Sequence, residues 1–175
     1  DRFDEKYEMI RSLHKGKFQY IRHYQPYLPD GLNNNYRYRS LAYQEWRTLF
    51  KAGKLRGHAK QFFAPKAVEQ LYDCEADPHQ VNNLATDPDF GAILVELRTR
   101  LQSIVKELPD LSFYPESHLV RHAMTNPVAY GEQHKAEIAR LVDTADLALL
   151  PFAEARPTLK AALASPQPMI RYWAA

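Results

Sequence analysis

Residues 71–85 read LYDCEADPHQVNNLA, and they predict a strand that stops in a polar turn. The residues that suit a partly buried strand are Leu71, Tyr72 and Cys74. Three polar side chains can accept hydrogen bonds from nearby backbone N–H groups, namely those of Asp73, Asp77 and Asn82. Pro78 has no backbone N–H and therefore ends any strand ladder. We expect a strand over residues 68–74 and a turn that leads into the next element.

Two segments upstream, residues 7–13 and 17–24, alternate in character and predict an antiparallel hairpin. Alternation places Tyr7, Met9, Arg11 and Leu13 on one face of the first strand, and Phe18, Tyr20, Arg22 and Tyr24 on one face of the second. Between the strands, Gly16 supplies the positive φ that a short hairpin turn needs. Together with the strand over residues 68–74, the hairpin predicts a small antiparallel sheet.

A long helix is predicted after the turn, with Asp87 as its cap and Pro88 at its first position. Its apolar stripe runs over five turns and consists of Phe90, Ile93, Leu94, Leu97, Leu101, Ile104, Val105 and Leu108. We expect this stripe to lie across one face of the sheet. The fold class is therefore α+β, with a small antiparallel sheet packed against a long helix and an all-helical tail after it.

The segment between the hairpin and the third strand is predicted to be an insertion with two helices. Ser40 is a suitable N-cap for a helix to about residue 52, and Gly53 is a suitable stop. A shorter helix is expected over residues 57–63. Residues 36–39 interleave tyrosine and arginine, which suits either stacking on nucleic acid or simple packing, and packing is the interpretation we favour.

Residues 117–175 contain no further strand pattern and predict short helices punctuated by proline. We place these helices at about 117–125, 131–142, 155–164 and 168–175. The last stretch, SPQPMIRYWAA at residues 165–175, resembles the opening of a HEAT-type repeat helix. Two domains are therefore expected: residues 1–116 with the sheet, and residues 117–175 as a helical extension that could begin a HEAT-like array.

Composition narrows the classes of partner. Lysine and arginine exceed aspartate and glutamate by 23 − 21 = 2, so charge gives no case for binding nucleic acid or a membrane surface. The single cysteine, Cys74, excludes an internal disulfide and any metal site built from several cysteines. No run of about 18 apolar residues is present, so no transmembrane helix is predicted.

The order Leu-Tyr-Asp, Asp-Pro and Asn-Leu within residues 71–84 resembles the closing segment of the sulfatase family, in the alkaline-phosphatase superfamily. The family more often has Leu where Cys74 stands, and usually Glu where Gln80 stands. A second likeness lies in DRFDE at residues 1–5 and KFQYIR at residues 17–22, which resemble the loop and hairpin of bacterial sulfatases. The resemblance covers roughly residues 1–115.

The resemblance implies catalysis by a formylglycine, made from a Cys/Ser-x-Pro/Ala-x-Arg motif, beside a calcium ion held by Asp and Asn residues. That motif is absent here, because Cys74 is followed by Glu-Ala-Asp and no serine begins the pattern. No clustered Asp-Asp metal motif is present either. We therefore expect a piece of a larger protein, with its catalytic domain upstream of Asp1. No catalytic residue and no metal ligand is assigned to this chain, and the chain alone is expected to be inactive.

Five residues are candidates for binding a sulfated small molecule or glycan. Arg2, Asp4 and Glu5 form a charged loop that, in the resemblance, faces the catalytic domain. Arg22 and His23 stand at a strand end, where a planar guanidinium would suit a sulfate. The alternative for Arg2, Asp4 and Glu5 is a surface or inter-domain salt bridge, which contributes little to stability when exposed. For Arg22 and His23 the alternative is likewise a structural role.

Other chemistry-bearing residues are interpreted as structural. His118 and His122 are four residues apart on one helix face, but no third ligand accompanies them, so surface histidines are favoured over a metal pair. His79 is expected to cap the turn or face solvent, and Cys74 to pack as a small buried group.

The sequence thus predicts the C-terminal subdomain of a sulfatase-like hydrolase, completing the fold and one wall of the active-site cleft. Its partners would be the upstream catalytic domain and a sulfated substrate. One alternative is the same subdomain in a phosphate or phosphonate ester hydrolase. Another is a non-catalytic interaction module with HEAT-like helices. A periplasmic and a cytoplasmic location both remain open.

Overall fold

The computed structural model describes residues 8–31 and 34–175. These described residues divide into two compact units, one that ends at residue 86 and one over residues 87–175. The first unit holds a three-stranded antiparallel sheet, and the second consists of helices. The α+β class is therefore confirmed. The predicted boundary after residue 116 separates the region that resembles a known family from a helical extension. A division into compact units does not test that boundary, so it stays a prediction.

The sheet has the order β1 (Ile10–Lys15), β2 (Phe18–His23) and β3 (Glu69–Asp73). The predicted hairpin is confirmed, and its register pairs Arg11 with Arg22 and Leu13 with Tyr20. The described members of the two alternating stripes therefore share one face of the sheet, and Tyr7 lies outside the described residues. Gly16 has φ 57° and is the first of the two turn residues, the position where a type II′ hairpin turn requires positive φ.

The third strand is also confirmed, and its pairing with β2 places Leu71 opposite Tyr20. Backbone hydrogen bonds extend the pairing beyond both ends of β3, from His23 N to Val68 O (2.9 Å) and from Cys74 N to Lys17 O (2.8 Å). One face of the sheet carries Tyr20, Arg22 and Leu71, all buried. The opposite face carries His23, Gln70 and Tyr72.

The turn after β3 is held by side chains that accept from the backbone, as predicted for Asp73 and Asp77. Asp73 Oδ1 accepts from the N–H groups of Glu75 and Ala76 at 3.1 Å each, and Asp77 Oδ2 accepts from Asn82 N at 2.8 Å. The same turn is tied to the hairpin by an ion pair between Lys17 and Asp73. The hydrogen bond from Lys17 lowers the pKa of the Asp73 carboxyl, and two backbone hydrogen bonds reinforce that shift.

Asn83 occupies the outer edge of β3. Its Oδ1 accepts from the buried Leu71 N at 2.9 Å and from Ala85 N at 3.0 Å. Next to it, Leu84 N donates to Leu71 O at 2.8 Å. The segment after the turn therefore supplies hydrogen bonds to the edge of β3 that does not face β2. The sequence interpretation had assigned this role to no residue.

The insertion contains α1 (Leu41–Lys51) and a 3₁₀ segment, Gly57–Phe63. Ser40 stands at the N-cap of α1, and Gly53 has φ 67° after its end, both as predicted. The shorter helix lies where expected but is wound as 3₁₀. Aromatic rings join the two segments, with Trp46 stacked on Phe62 at 4.6 Å between centroids. Arg37 lies over Phe62 at 5.1 Å, as the packing interpretation expects.

The second unit begins with a 3₁₀ turn, Pro88–Phe90, and continues as α2 (Gly91–Glu107). Asp87 caps it by accepting from Asp89 N at 3.0 Å. Four members of the predicted stripe are buried: Leu94, Leu97, Leu101 and Val105. Leu108 departs from the stripe and is 59% exposed, because its backbone is already extended and points it away from the helix face.

Five helices complete the unit: α3 (Glu116–His122), α4 (Pro127–Gln133), α5 (Lys135–Asp146), α6 (Phe152–Leu163) and α7 (Pro168–Ala174). The buried helix α5 packs against both α2 and α7, and it carries the fully buried Ile138, Leu141 and Val142. Trp173 is fixed by a hydrogen bond from its Nε1 to Phe113 O at 2.8 Å. Pro157 lies inside α6, which continues through it.

Candidate functional site

A cleft of about 550 Å³ lies in the sheet unit. One wall is the sheet face that carries His23, Gln70 and Tyr72, and the other comes from the insertion, with Trp46 and Phe62. The cleft thus lies between a sheet face and an insertion from the same unit. Its size falls in the range of about 300–1,000 Å³ that is usual for small-molecule sites.

Lys66 sits in the cleft wall with its charge matched by carboxylates. Its Nζ lies 2.5 Å from Glu8 Oε1 and 3.0 Å from Asp30 Oδ1, and it donates to Leu28 O at 3.2 Å. An ammonium group has three hydrogens, so these three acceptors use its whole donor capacity. Lys66 therefore ties the first strand region to the insertion and is not available as a cation for a ligand.

His23 is buried at the end of β2 and faces the cleft. Its Nε2 lies 3.0 Å from Gln70 Oε1 on the neighbouring strand. Burial lowers the pKa of His23, the Lys66 ammonium lowers it further, and the Gln70 hydrogen bond opposes both. The neutral imidazole is therefore favoured near neutral pH, with one ring nitrogen paired to Gln70.

Arg22 points to the other face of the sheet. Its side chain is 2% exposed, its Nη1 donates to His23 O at 2.5 Å and to Val68 O at 3.2 Å, and its guanidinium lies over the Tyr24 ring at 4.6 Å. The structure therefore places Arg22 and His23 on opposite faces of β2, because adjacent strand residues alternate. Of these two predicted candidates, the structure brings only His23 to the cleft.

Arg2, Asp4 and Glu5 lie outside the described residues, and their predicted role in binding stays a prediction.

Several cleft residues were missed by sequence reasoning, above all Lys66, Gln70 and Trp46. Lys66 meets Glu8 and Asp30 across separations of 58 and 36 residues, and Gln70 meets His23 across 47. No local pattern marks such pairs. The useful signal was available only for Gln70, since alternation along β3 puts it on the face opposite Leu71.

In the second unit, His118 lies in an aromatic cluster, and the exposed His122 lies at its edge. His118 stacks on Tyr114 at 4.7 Å between centroids, lies 4.7 Å from the His122 ring, and pairs with Tyr130 Oη through Nε2 at 2.7 Å. His118 is half-buried and His122 is exposed, so the expectation of surface histidines holds for His122. Burial lowers the pKa of His118, and His122 lowers it further.

The residues that the structure describes do not fit a calcium site, and the sequence contains no precursor motif for a formylglycine. Across residues 8–31 and 34–175, no cluster of three or more His, Cys, Asp or Glu side chains is arranged to hold a metal ion. The Cys74 sulfur packs at 3.8 Å from Gln19 Oε1 and 3.7 Å from Gln80 Nε2. None of the helices in that part of the chain is long and apolar enough to cross a membrane.

No family model matches the chain. It is, however, 38% identical over 121 residues to the ulvan-active sulfatase of Formosa agariphila, a match that covers 69% of this chain and 20% of that protein. It is 31% identical over 94 residues to the human N-sulphoglucosamine sulphohydrolase, covering 53% of this chain and 18% of that protein. The resemblance to sulfatases is therefore confirmed. This sulfatase-like chain spans about a fifth of the length of the curated relatives it matches.

Proposed function

We propose that this chain is the C-terminal subdomain of a sulfatase-like hydrolase that cleaves sulfate esters. The observation that carries the proposal is the 38% identity to a sulfatase over 69% of the chain. The second relative, a sulphohydrolase, supports the same reaction class. Because each match covers no more than 20% of the relative, the proposal assigns the chemistry to a larger parent protein.

The parent's catalytic domain, upstream of Asp1, supplies the formylglycine nucleophile and the calcium ion. The chain lacks the precursor motif, and its described residues offer no metal cluster, which supports this division of labour. The role of the chain is to complete the fold and to form one wall of the active-site cleft. That catalytic domain is its first partner.

A sulfated glycan is the proposed substrate class. The names of the relatives point to carbohydrate, one to ulvan and the other to N-sulphoglucosamine. The cleft on the sheet, with His23 in its wall, is the part of this chain suited to meet such a substrate. Arg2, Asp4 and Glu5 remain proposed substrate contacts on the basis of the family resemblance, whereas Arg22 is buried on the sheet face opposite the cleft.

The test compares the parent protein with the 175-residue chain. Sulfate release from ulvan oligosaccharides and from an aryl sulfate is measured with calcium present and with calcium removed by a chelator. The parent is expected to release sulfate, and the chain alone to release none under either condition. Release of phosphate from an aryl phosphate without any sulfatase activity would favour the phosphate-ester alternative. Turnover by the repurified chain alone would overturn the assignment of catalysis to the upstream domain of the parent.

A further inference from the structure

We propose that the cleft in the sheet unit binds an uncharged sugar ring, so that the sulfate group of the substrate binds elsewhere. The inference rests on the proposed function, because it assigns the cleft to the glycan portion next to the sulfated group. It is argued from the lining of the cleft, from its charge and from its hydrogen-bonding groups.

The lining combines aromatic surface on one side with neutral polar groups on the other. Trp46 and Phe62 come from the insertion, while His23 and Gln70 come from the sheet. The polar edge of Trp46 is already satisfied, because its Nε1 donates to Ala59 O at 2.9 Å. A sugar ring has the matching chemistry, since its C–H face packs on aromatic rings and its hydroxyls both donate and accept hydrogen bonds.

The charge of the lining disfavours an anion. Glu8 and Asp30 contribute two carboxylates, and Lys66 contributes one ammonium, so the formal balance of these three is −1 with the histidines neutral. The ammonium already contacts both carboxylates. Among the described lining residues no other lysine or arginine is present, so this part of the lining offers a sulfate no unengaged cation.

The pairing of His23 with Gln70 leaves directional hydrogen-bonding groups for an uncharged ligand. If Nε2 of His23 donates to Gln70 Oε1, the amide nitrogen of Gln70 keeps its two N–H donors and the second ring nitrogen of His23 is an acceptor. Their arrangement is fixed by the strand register, which pairs Ile21 with Gln70 and places His23 two residues away on the same face. A preorganised donor and acceptor pair is what a hydroxyl group requires.

The experiment follows the indole N–H signals of the chain in ¹⁵N–¹H spectra. The chain has two tryptophans, Trp46 in the cleft and Trp173 in the helical unit, so Trp173 is an internal control. Ulvan oligosaccharides are titrated before and after chemical desulfation, and sodium sulfate is titrated separately. We expect the desulfated oligosaccharides to shift the Trp46 signal in a saturable way. Their affinity should be at least as high as that of the sulfated oligosaccharides, and sulfate alone should leave the signal unchanged.

A pair of variants tests the hydrogen-bonding wall. Gln70→Leu removes the amide while keeping a strand-compatible side chain, and it is expected to weaken saccharide binding about tenfold. Gln133→Leu makes the same chemical change at an exposed position of α4 and is expected to leave the affinity unchanged. Folding of both variants is verified by the dispersion of their spectra.

Three results would overturn the inference: a saturable Trp46 shift with sodium sulfate, tighter binding of the sulfated oligosaccharides, or no shift with any saccharide. These are separable from failure of the proposed function. If the parent releases sulfate but the chain shows no saccharide shift, the sulfatase proposal stands and the cleft assignment falls. If the chain binds desulfated saccharide but the parent releases no sulfate, the cleft assignment stands without the enzyme.

Discussion

At the scale of single residues, Asn83 supplies hydrogen bonds to the outer edge of the sheet. It accepts from the backbone of Leu71, which is 0% exposed, and its Nδ2 donates to Glu69 O at 3.3 Å. A buried N–H without a partner is costly, because water cannot replace the lost bond. The neighbouring residue, Asn82, instead donates its backbone N–H to the carboxylate of Asp77. Two adjacent asparagines therefore have different structural roles.

Asn83→Ala is expected to lower the free energy of unfolding by about 1–3 kcal/mol, because it leaves Leu71 N unpaired in the core. Asn82→Ala is the matched control and should change it by less than about 0.5 kcal/mol. Urea unfolding followed by Trp46 fluorescence in Trp173→Phe backgrounds measures both. Equal effects of the two substitutions would contradict the assigned role.

His118, like the buried His23, has an environment that lowers its pKa and should make stability depend on pH. The groups that face it are Tyr114, His122, Tyr130, His134 and Glu137, of which Glu137 favours the protonated ring and the two histidines oppose it. Burial has the largest effect and lowers its pKa below the ordinary 6.5. The folded state therefore holds the neutral ring more readily than the unfolded state does.

The sign of the pH dependence follows from that direction. Above pH 6.5 both states are neutral at His118, and as the pH falls below 6.5 the unfolded state takes up the proton first, so stability is lost. His118→Gln should flatten the fall in the unfolding midpoint between neutral and mildly acidic pH. An unchanged slope in His118→Gln would refute the assignment.

At the scale of elements, helix α2 packs against another helix of its own unit, α5. The sequence predicted its apolar stripe and assigned the sheet as its target. The structure packs α2 against α5, where Leu141 and Val142 are fully buried. Leu97, near the middle of α2, is 0% exposed, whereas Val95 is 54% exposed on the same helix.

Leu97→Ala is expected to destabilise the helical unit by about 2–5 kcal/mol, through lost burial and the cavity left behind. Val95→Ala removes two methyl groups from the exposed side and should change stability by about 0.5 kcal/mol or less. Thermal unfolding followed by Trp173 fluorescence in Trp46→Phe backgrounds compares them. Similar effects of both changes would argue against the burial of Leu97 in the contact between α2 and α5.

At the scale of the whole molecule, charge is nearly balanced. The chain has 23 basic and 21 acidic residues, so its formal net charge is +2. Two lysines already form ion pairs: Lys66 with Glu8 and Asp30, and Lys17 with Asp73. Long-range attraction to a polyanion is therefore weak, and any glycan recognition has to come from short-range contacts in a defined site.

The chain is accordingly expected not to bind duplex DNA in a salt-dependent manner. Fluorescence anisotropy with a short labelled duplex should show no binding at physiological salt and no steep increase at low salt, because few phosphates would be neutralised. Strong binding that weakens steeply as salt rises would contradict this and would reopen the stacking interpretation of residues 36–39.

The sequence by itself determined the elements that depend on local chemistry. The hairpin followed from alternation and from Gly16, whose positive φ a bulkier residue resists. The end of α1 followed from Gly53 and the start of the α2 region from Asp87 and Pro88, because caps and stops act on the backbone within a few residues. Ser40 stands at the N-cap of α1 as predicted, but its side chain makes no capping hydrogen bond. Residues 71–85 also carried the likeness to sulfatases that the relatives confirm.

Only the tertiary structure decided which side chains meet. Lys66 joins Glu8 and Asp30, His23 pairs with Gln70, and Asn83 closes the edge of β3, all across separations that no local pattern records. Arg22 and His23 are adjacent in sequence, yet the strand pleat sends one into a buried aromatic contact and the other into the cleft. The physical reason is that local propensity fixes backbone conformation, whereas burial, charge pairing and a binding site depend on which distant segments fold together.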